Sequence, residues 1–265
     1  MAVTIRLRGI KTTIYRPALP ALLRAALQSR ARGKRLEVLL LPPSVDGPRL
    51  HVGAGQRMLD GYENLDAYDN EHRPDYFQTQ VNGFIRAELL DTRYAPDAVA
   101  EIRCHHVFEH IGILDLDRTL RGWNRILKTG GLVWIETPDF AGCAKMILGG
   151  KREEEKEIYY RHLFGSQVGP GEFHFNGLTA PRLMRLLEGY GFSVKLAYTE
   201  WKRRTPRQPD MYYPGGDAPL PDLTVRAIKV GSPTPEVLAA EWTHIAYRRR
   251  FPNPEFPPQE DADGG

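Results

Sequence analysis

Residues 49–68, RLHVGAGQRMLDGYENLDAY, constrain this chain more than any other stretch. A short strand signal at Leu50 and Val52 breaks at Gly53-Ala54-Gly55, and a second short strand over 62–65 ends on Asp66. A strand running into Gly-x-Gly lets the backbone approach a ligand where any side chain would block it. An acidic residue closing the next strand is well placed to accept hydrogen bonds from a ribose diol. Glycine turns are also ordinary punctuation, so the weight lies on the coupling of these glycines to Asp66.

The spacing excludes a dinucleotide fingerprint, which needs a third glycine, a full crossover helix and an acid roughly 20 residues on. Here Gln56, Arg57 and Met58 follow the second glycine, and Asp66 arrives too soon for a normal helix plus strand. Parallel strands usually need a crossover of about a dozen residues, so the connection is cramped, of the order of one turn. A pyrophosphate wants a proper helix N-terminus beneath it. The geometry favours a ligand with adenosine and no pyrophosphate.

A chain of 265 residues, 42% hydrophobic, is long enough for one α/β domain with additions. No apolar run has the length of a transmembrane helix, and residues 1–17 lack the apolar segment of a secretory signal. Cys104 and Cys143 make no disulfide framework, so a cytoplasmic location is expected. A net charge of +3 gives no case for a nucleic-acid partner.

Residues 1–48 form an N-terminal extension. A helix is expected from Pro20 with Leu22, Leu23 and Leu27 on one face, then a basic run over 30–35 and a strand from Leu36 stopped by Pro42-Pro43. We read the basic run as a solvated helix end, with contact to an acidic membrane surface or a nucleic acid as the alternatives. Strands are expected at 78–89 and 98–103. A helix from 114 carries Leu116, Leu120, Trp123 and Leu127 and is stopped by Gly130-Gly131. A buried strand over 132–137 ends at Pro138-Asp139. This alternation implies a parallel sheet with helices on both faces. Residues 140–178 interrupt the rhythm, where a lid or substrate wall would sit. A helix follows from Thr179, then strands at 192–198 and 223–230, a helix over 235–249 and a disordered tail at 251–265.

With these motifs in order, the chain resembles the class I S-adenosylmethionine-dependent methyltransferases, closest to a small group of type 11-like members. The matching segments are Leu50-His-Val-Gly-Ala-Gly55, Asn64-Leu-Asp66, His106-Val-Phe-Glu-His110 and Leu127-Lys-Thr-Gly-Gly131. The resemblance spans about 50–195 and implies a Rossmann-like, mostly parallel seven-stranded sheet whose last strand is antiparallel, with a methyltransferase domain over 49–232. It implies that Gly53, Ala54 and Gly55 lie under the methionine part of the cofactor and that Asp66 holds the ribose hydroxyls. Glu88 and Leu89 fall beside the adenine, Glu88 being one methylene longer than the family's usual aspartate. His105 and His106 would border the cofactor and the transferred methyl. Thr129 replaces the family's usual proline in a turn.

His106-x-x-Glu109-His110 also fits the inverted zinc-peptidase pattern, which needs a helical setting and a third ligand; the surrounding motifs already explain it, and no metal site is assigned. His106 and His110, the latter paired with Glu109, are candidate bases for an acceptor hydroxyl, against a role in capping the following helix. His174 is a candidate to line the acceptor pocket from the lid, against a structural loop role. Tyr159, Tyr160 and His162 share that ambiguity. The groups Lys202-Arg203-Arg204 and Arg248-Arg249-Arg250 are expected to be solvated, with a phosphorylated or polymeric acceptor as the alternative. The function expected is methyl transfer from S-adenosylmethionine to a small-molecule or sugar-containing (glycan) acceptor, at oxygen. A catalytically degenerate domain that binds partners is the alternative, and a nicotinamide-dependent oxidoreductase is disfavoured by the cramped crossover.

Overall fold

The computed structural model describes residues 2–7, 10–15, 45–55, 57–67, 84–86, 94–112, 115–167, 171–203, 218–235 and 237. The strands are β1 (Ala2–Leu7), β2 (Ile10–Tyr15), β3 (Arg49–Val52), β4 (Glu63–Asp66), β5 (Phe84–Arg86), β6 (Val99–His105), β7 (Leu127–Pro138), β8 (Phe192–Arg203) and β9 (Pro219–Lys229). They form one nine-stranded sheet in the order β1-β2-β8-β9-β7-β6-β3-β4-β5. The pairings β5-β4-β3-β6-β7 are parallel, whereas β9 runs antiparallel to both β7 and β8. The seven strands from β3 onward therefore make the mostly parallel sheet with an antiparallel last strand. The N-terminal extension adds an antiparallel hairpin, β1 and β2, to the β8 edge. The helix expected near 20–28, the strand near 36–41, the helix beyond 237 and the tail lie outside the described residues.

Side-chain alternation sorts the sheet into two faces. Leu50, Val52, Ile102, Cys104, Val133, Ile135, Leu223, Val225 and Ala227 point into one apolar core. That core is closed by α1 (Asp115–Ile126), through Leu116, Leu120 and Trp123, and by α4 (Ala180–Gly189), through Leu183 and Leu187. The other face carries His51, Arg103, His105, Trp134, Glu136, Asp222 and Arg226. Arg103 and Arg226 both sit 3.6 Å from the Trp134 ring centroid. At the carboxyl end of the central strands, α2 (Phe140–Ile147) and α3 (Glu153–Phe164) close over this face through Cys143, Ile158, Tyr159, Leu163 and Leu220. These two helices are the insertion at 140–178.

Two boundaries differ from the sequence expectation. Helix α1 ends at Ile126, before Gly130-Gly131, because strand β7 already begins at Leu127. Val99 pairs with Leu127 and Glu101 with Leu132, so residues 128–131 bulge out opposite a single residue. Gly130 takes φ +84° there, and a Cβ on Gly131 would lie 2.5 Å from Leu127 Cδ2 and 2.8 Å from the Lys128 carbonyl. The glycine pair shapes a bulge at a strand entry; it does not cap a helix. Strands β8 and β9 are also longer than their apolar alternation suggested, extending each other to Arg203 and Pro219.

Candidate functional site

At the carboxyl ends of β3 and β4 the backbone makes a tight cradle. Gly53 and Ala54 both donate their N–H to the Leu65 carbonyl, at 2.8 and 3.0 Å, and Gly55 N–H donates to Asp66 Oδ2 at 2.8 Å. Gly53 has φ +68°, and a Cβ there would lie 1.9 Å from Val107 Cγ2. No other residue fits at that position without moving the chain. The crossover to β4 contains no helix among its described residues. Asn64, for which sequence reasoning gave no role, replaces that helix. Its amide accepts from Leu59 N–H at 2.9 Å and donates to the Leu59 and Tyr62 carbonyls at 3.2 and 3.1 Å. His51 Nδ1 lies 3.0 Å from the same Asn64 oxygen. Among the described residues the loop is thus pinned without a helix, and none of them offers the cradle a helix N-terminus to hold phosphate. Of the adenine-side candidates, Glu88 and Leu89 lie outside the described residues.

His105 belongs to the polar sheet face: Arg103 Nε donates to its Nε2 at 2.8 Å, and its ring meets Trp134 and His51 edge-on at 5.6 and 5.8 Å. Burial lowers its pKa to about 3, so it is neutral. His106 turns sharply out of β6 with φ +53°, a conformation uncommon outside glycine. Its Nδ1 lies 3.1 Å from Glu109 Oε1, and its Nε2 faces Glu136 at 3.5 Å and Asp222 at 3.6 Å. Burial alone would lower the His106 pKa. Asp222, through charge and hydrogen bonding, and the bonds to Glu109 and Glu136 outweigh burial and hold it well above the ordinary histidine value. Three carboxylates around the ring favour its charged form, which makes it a poor base.

The other carboxylates of this cluster, Glu136, Glu200 and Asp222, escaped the sequence reading. Asp222, fully buried on β9, also contacts His162 Nε2 at 3.0 Å. Lys202 reaches Glu136 at 2.6 Å, Glu200 at 3.7 Å and Asp222 at 3.8 Å. Lys202, its side chain 31% exposed, is therefore a counter-ion to these carboxylates and not a free basic group. Burial would raise the Glu136 pKa, but His106 and Lys202 bring it down to about 2. The signal was present in the sequence: a carboxylate inside an otherwise apolar strand, as in LVWIET and PLPDLTVRAIK, demands a buried partner.

Beyond His106 the chain makes a single 3₁₀ turn, Phe108–His110. Glu109 is 1% exposed. It accepts from Thr137 Oγ1 at 3.0 Å, and its main-chain carbonyl receives the N–H groups of Phe175 and Asn176 at 2.8 and 3.1 Å. Asn176 Nδ2 donates in turn to the Ile111 carbonyl. These bonds lay the insertion segment across the turn, so that the His110 and His174 rings meet edge-on at 4.5 Å. His110 Nδ1 bonds the Phe173 carbonyl at 2.9 Å, and His174 Nδ1 the Leu163 carbonyl at 3.2 Å. Burial lowers the His174 pKa to about 4 despite the nearby Glu109 charge. Burial would raise the Glu109 pKa, yet the hydrogen bond and charge of His106, with His174 and His110, lower it to about 2.

The structure thus brings His106, His110 and His174 to one end of the sheet, around Glu109. It does not set them as an inverted zinc-peptidase motif would. His106 lies outside any helix and faces Glu136 and Asp222, while His110 faces His174. One ligand pair on a common metal is not formed.

Strand order, strand direction and the placement of this site at the carboxyl ends of the parallel strands define a Rossmann-like α/β domain. No family model and no curated protein matches the sequence. Solved structures do share its outline. An S-adenosylmethionine-dependent methyltransferase from Methanosarcina mazei is 13% identical with a TM-score of 0.48, covering 75% of this chain and 99% of that one. One from Archaeoglobus fulgidus is 16% identical with a TM-score of 0.47, covering 78% and 94%. A chain of the Haloferax volcanii complex that contains the Trm112 methyltransferase activator is 13% identical with a TM-score of 0.47, covering 83% and 99%. At such identities these likenesses concern the arrangement of the chain alone.

Proposed function

We propose that this protein is an S-adenosylmethionine-dependent methyltransferase acting at oxygen on a small-molecule or sugar-containing acceptor. The observation that carries this reading is the Gly53-Ala54-Gly55 cradle tied to Asp66 at 2.8 Å across a crossover without a helix. That arrangement suits an adenosine ligand without phosphates: backbone surface for the methionine part, a carboxylate for the ribose diol and, among the described residues, no helix N-terminus for pyrophosphate. Glu88 and Leu89 would lie beside the adenine.

When bound, S-adenosylmethionine supplies a methyl on a sulfonium, whose carbon–sulfur bond breaks with its electron pair left on sulfur as the acceptor oxygen bonds to carbon. The protein's own task is alignment, which supplies up to about 7–11 kcal/mol in well-oriented cases. Glu109, His110 and His174 would face the acceptor from beneath the insertion, and the hydroxyl proton leaves to solvent water on that side. Phe173 and Phe175, stacked at 6.5 Å and exposed, offer an apolar platform beside them. His106 holds the cluster together and does not take the proton. Among the described residues no helix is long and apolar enough to cross a membrane.

Isothermal titration with S-adenosylmethionine tests this directly. One site per chain is expected, weakened about 10–100-fold by Asp66→Ala, as loss of hydrogen bonds to a charged group would do. Absence of binding to the wild-type protein, or equal binding by the variant, overturns it.

A further inference from the structure

We infer that Glu109, His110 and His174 hold a divalent first-row transition cation, and that the acceptor hydroxyl binds this cation. One ligand atom from each of the three residues lies within 4.8 Å of the other two, a span that one ion can bridge after small adjustments. Two imidazoles and one carboxylate form a common ligand set for zinc and iron(II). The hydrogen bonds around them are those that prepare a metal site. A carbonyl only accepts, so the bonds to Phe173 and Leu163 put the ring proton of His110 and His174 on Nδ1. Each ring is left with Nε2 as its lone-pair nitrogen, and its orientation is fixed by the backbone behind it. Glu109 is steadied in the same way by Thr137 and His106, with carboxylate lone pairs to spare.

The second grouping, His106, Glu136 and Asp222, is just as compact but already contains its cation. Lys202 Nζ sits 2.6 Å from Glu136 and 3.8 Å from Asp222. Glu109 meets His106 at 3.1 Å, but among the described residues no lysine or arginine pairs with Glu109, His110 or His174, and His110 and His174 are each partly exposed. Three protein ligands leave open positions, the pattern of a metal that binds substrate. Coordination lowers the pKa of a bound hydroxyl. Its proton then passes to solvent water at neutral pH, and the alkoxide lone pair attacks the methyl. The rings thus hold the ion and are relieved of taking the proton. The role given to the acceptor rests on the methyltransferase reading; the cation site does not.

The test uses chelator-treated full-length protein without S-adenosylmethionine, titrated with Co²⁺ and read by its visible ligand-field absorption, then back-titrated with Zn²⁺. One Co²⁺ per chain, displaced by Zn²⁺, is expected. His174→Ala and His110→Ala should each weaken binding by more than the roughly 10–100-fold typical of a lost supporting contact. Glu136→Gln, in the other grouping, should bind as wild type, with circular dichroism confirming that each variant folds. Asp66→Ala should also bind Co²⁺ normally, so failure of the cofactor reading leaves a separate signature. Absence of stoichiometric binding overturns the inference. So does undiminished binding by both His174→Ala and His110→Ala, or loss of binding confined to Glu136→Gln.

Discussion

The two sides of this site are built by different means. On the β3–β4 side the chain uses backbone: three N–H groups, two glycines with positive φ and one carboxylate, all within residues 53–66. On the insertion side it uses charge: His106 and Glu109 from one turn, with Glu136, Lys202 and Asp222 from three different strands, meet only after the sheet has formed. A local backbone device tolerates little change in shape. A long-range charged cluster tolerates little change in balance. The cradle therefore fails by steric strain and the cluster by uncompensated burial.

The largest effect is expected in the cluster. Asp222→Ala removes the fully buried carboxylate that His106 and His162 share and should destabilise the fold by about 3–5 kcal/mol, measured by urea unfolding. A value near zero would mean that the cluster is solvated and that the contrast drawn here is wrong. Gly53→Ala comes next. It forces a Cβ to 1.9 Å from Val107 at φ +68° and should cost about 1–3 kcal/mol. Gly53→Ala combined with Val107→Ala should recover the steric part and leave the strain of the positive φ.

Smaller still is the effect of pH, and its sign separates the groups. His105 and His174 have pKa values pushed down to about 3 and about 4 from 6.5. A histidine held neutral adds stability above 6.5 that is lost as pH falls toward those values. Glu109 and Glu136, lowered to about 2 from 4.5, add stability above 4.5 that is lost as pH falls toward 2. His106 works in the opposite sense: its raised pKa gives stability present below 6.5 and lost as pH rises through the folded value. The melting temperature should therefore pass through a maximum, and His174→Gln should flatten the decline between pH 6.5 and 4. An unchanged slope would remove His174 from the buried neutral group.

The same division explains what could be read from the sequence. Gly53, Gly55 and Asp66 were legible because their partners lie within one short strand–turn–strand stretch, 53–66. The cramped crossover was legible because strand spacing limits what fits, although Asn64 as its fastener was not. The parallel order and the antiparallel last strand followed from alternation and resemblance together. Gly130-Gly131 misled because a glycine pair serves a bulge as well as a helix end, and only the register of β6 with β7 decides between them. Lys202 looked like part of a solvated basic run. Its true partners, Glu136 and Asp222, sit on strands that only sheet pairing brings beside it.

The central claim is that the ends of β3 and β4 bind adenosine without phosphates, with the reacting carbon directed toward Glu109, His110 and His174. A crystal structure with S-adenosylhomocysteine measures this most directly. We predict the ribose hydroxyls within hydrogen-bonding distance of Asp66, the homocysteine over Gly53–Gly55, and the sulfur facing the His110–His174 pair. A ligand bound elsewhere, or a cradle closed by side chains with Asp66 turned away, would contradict it.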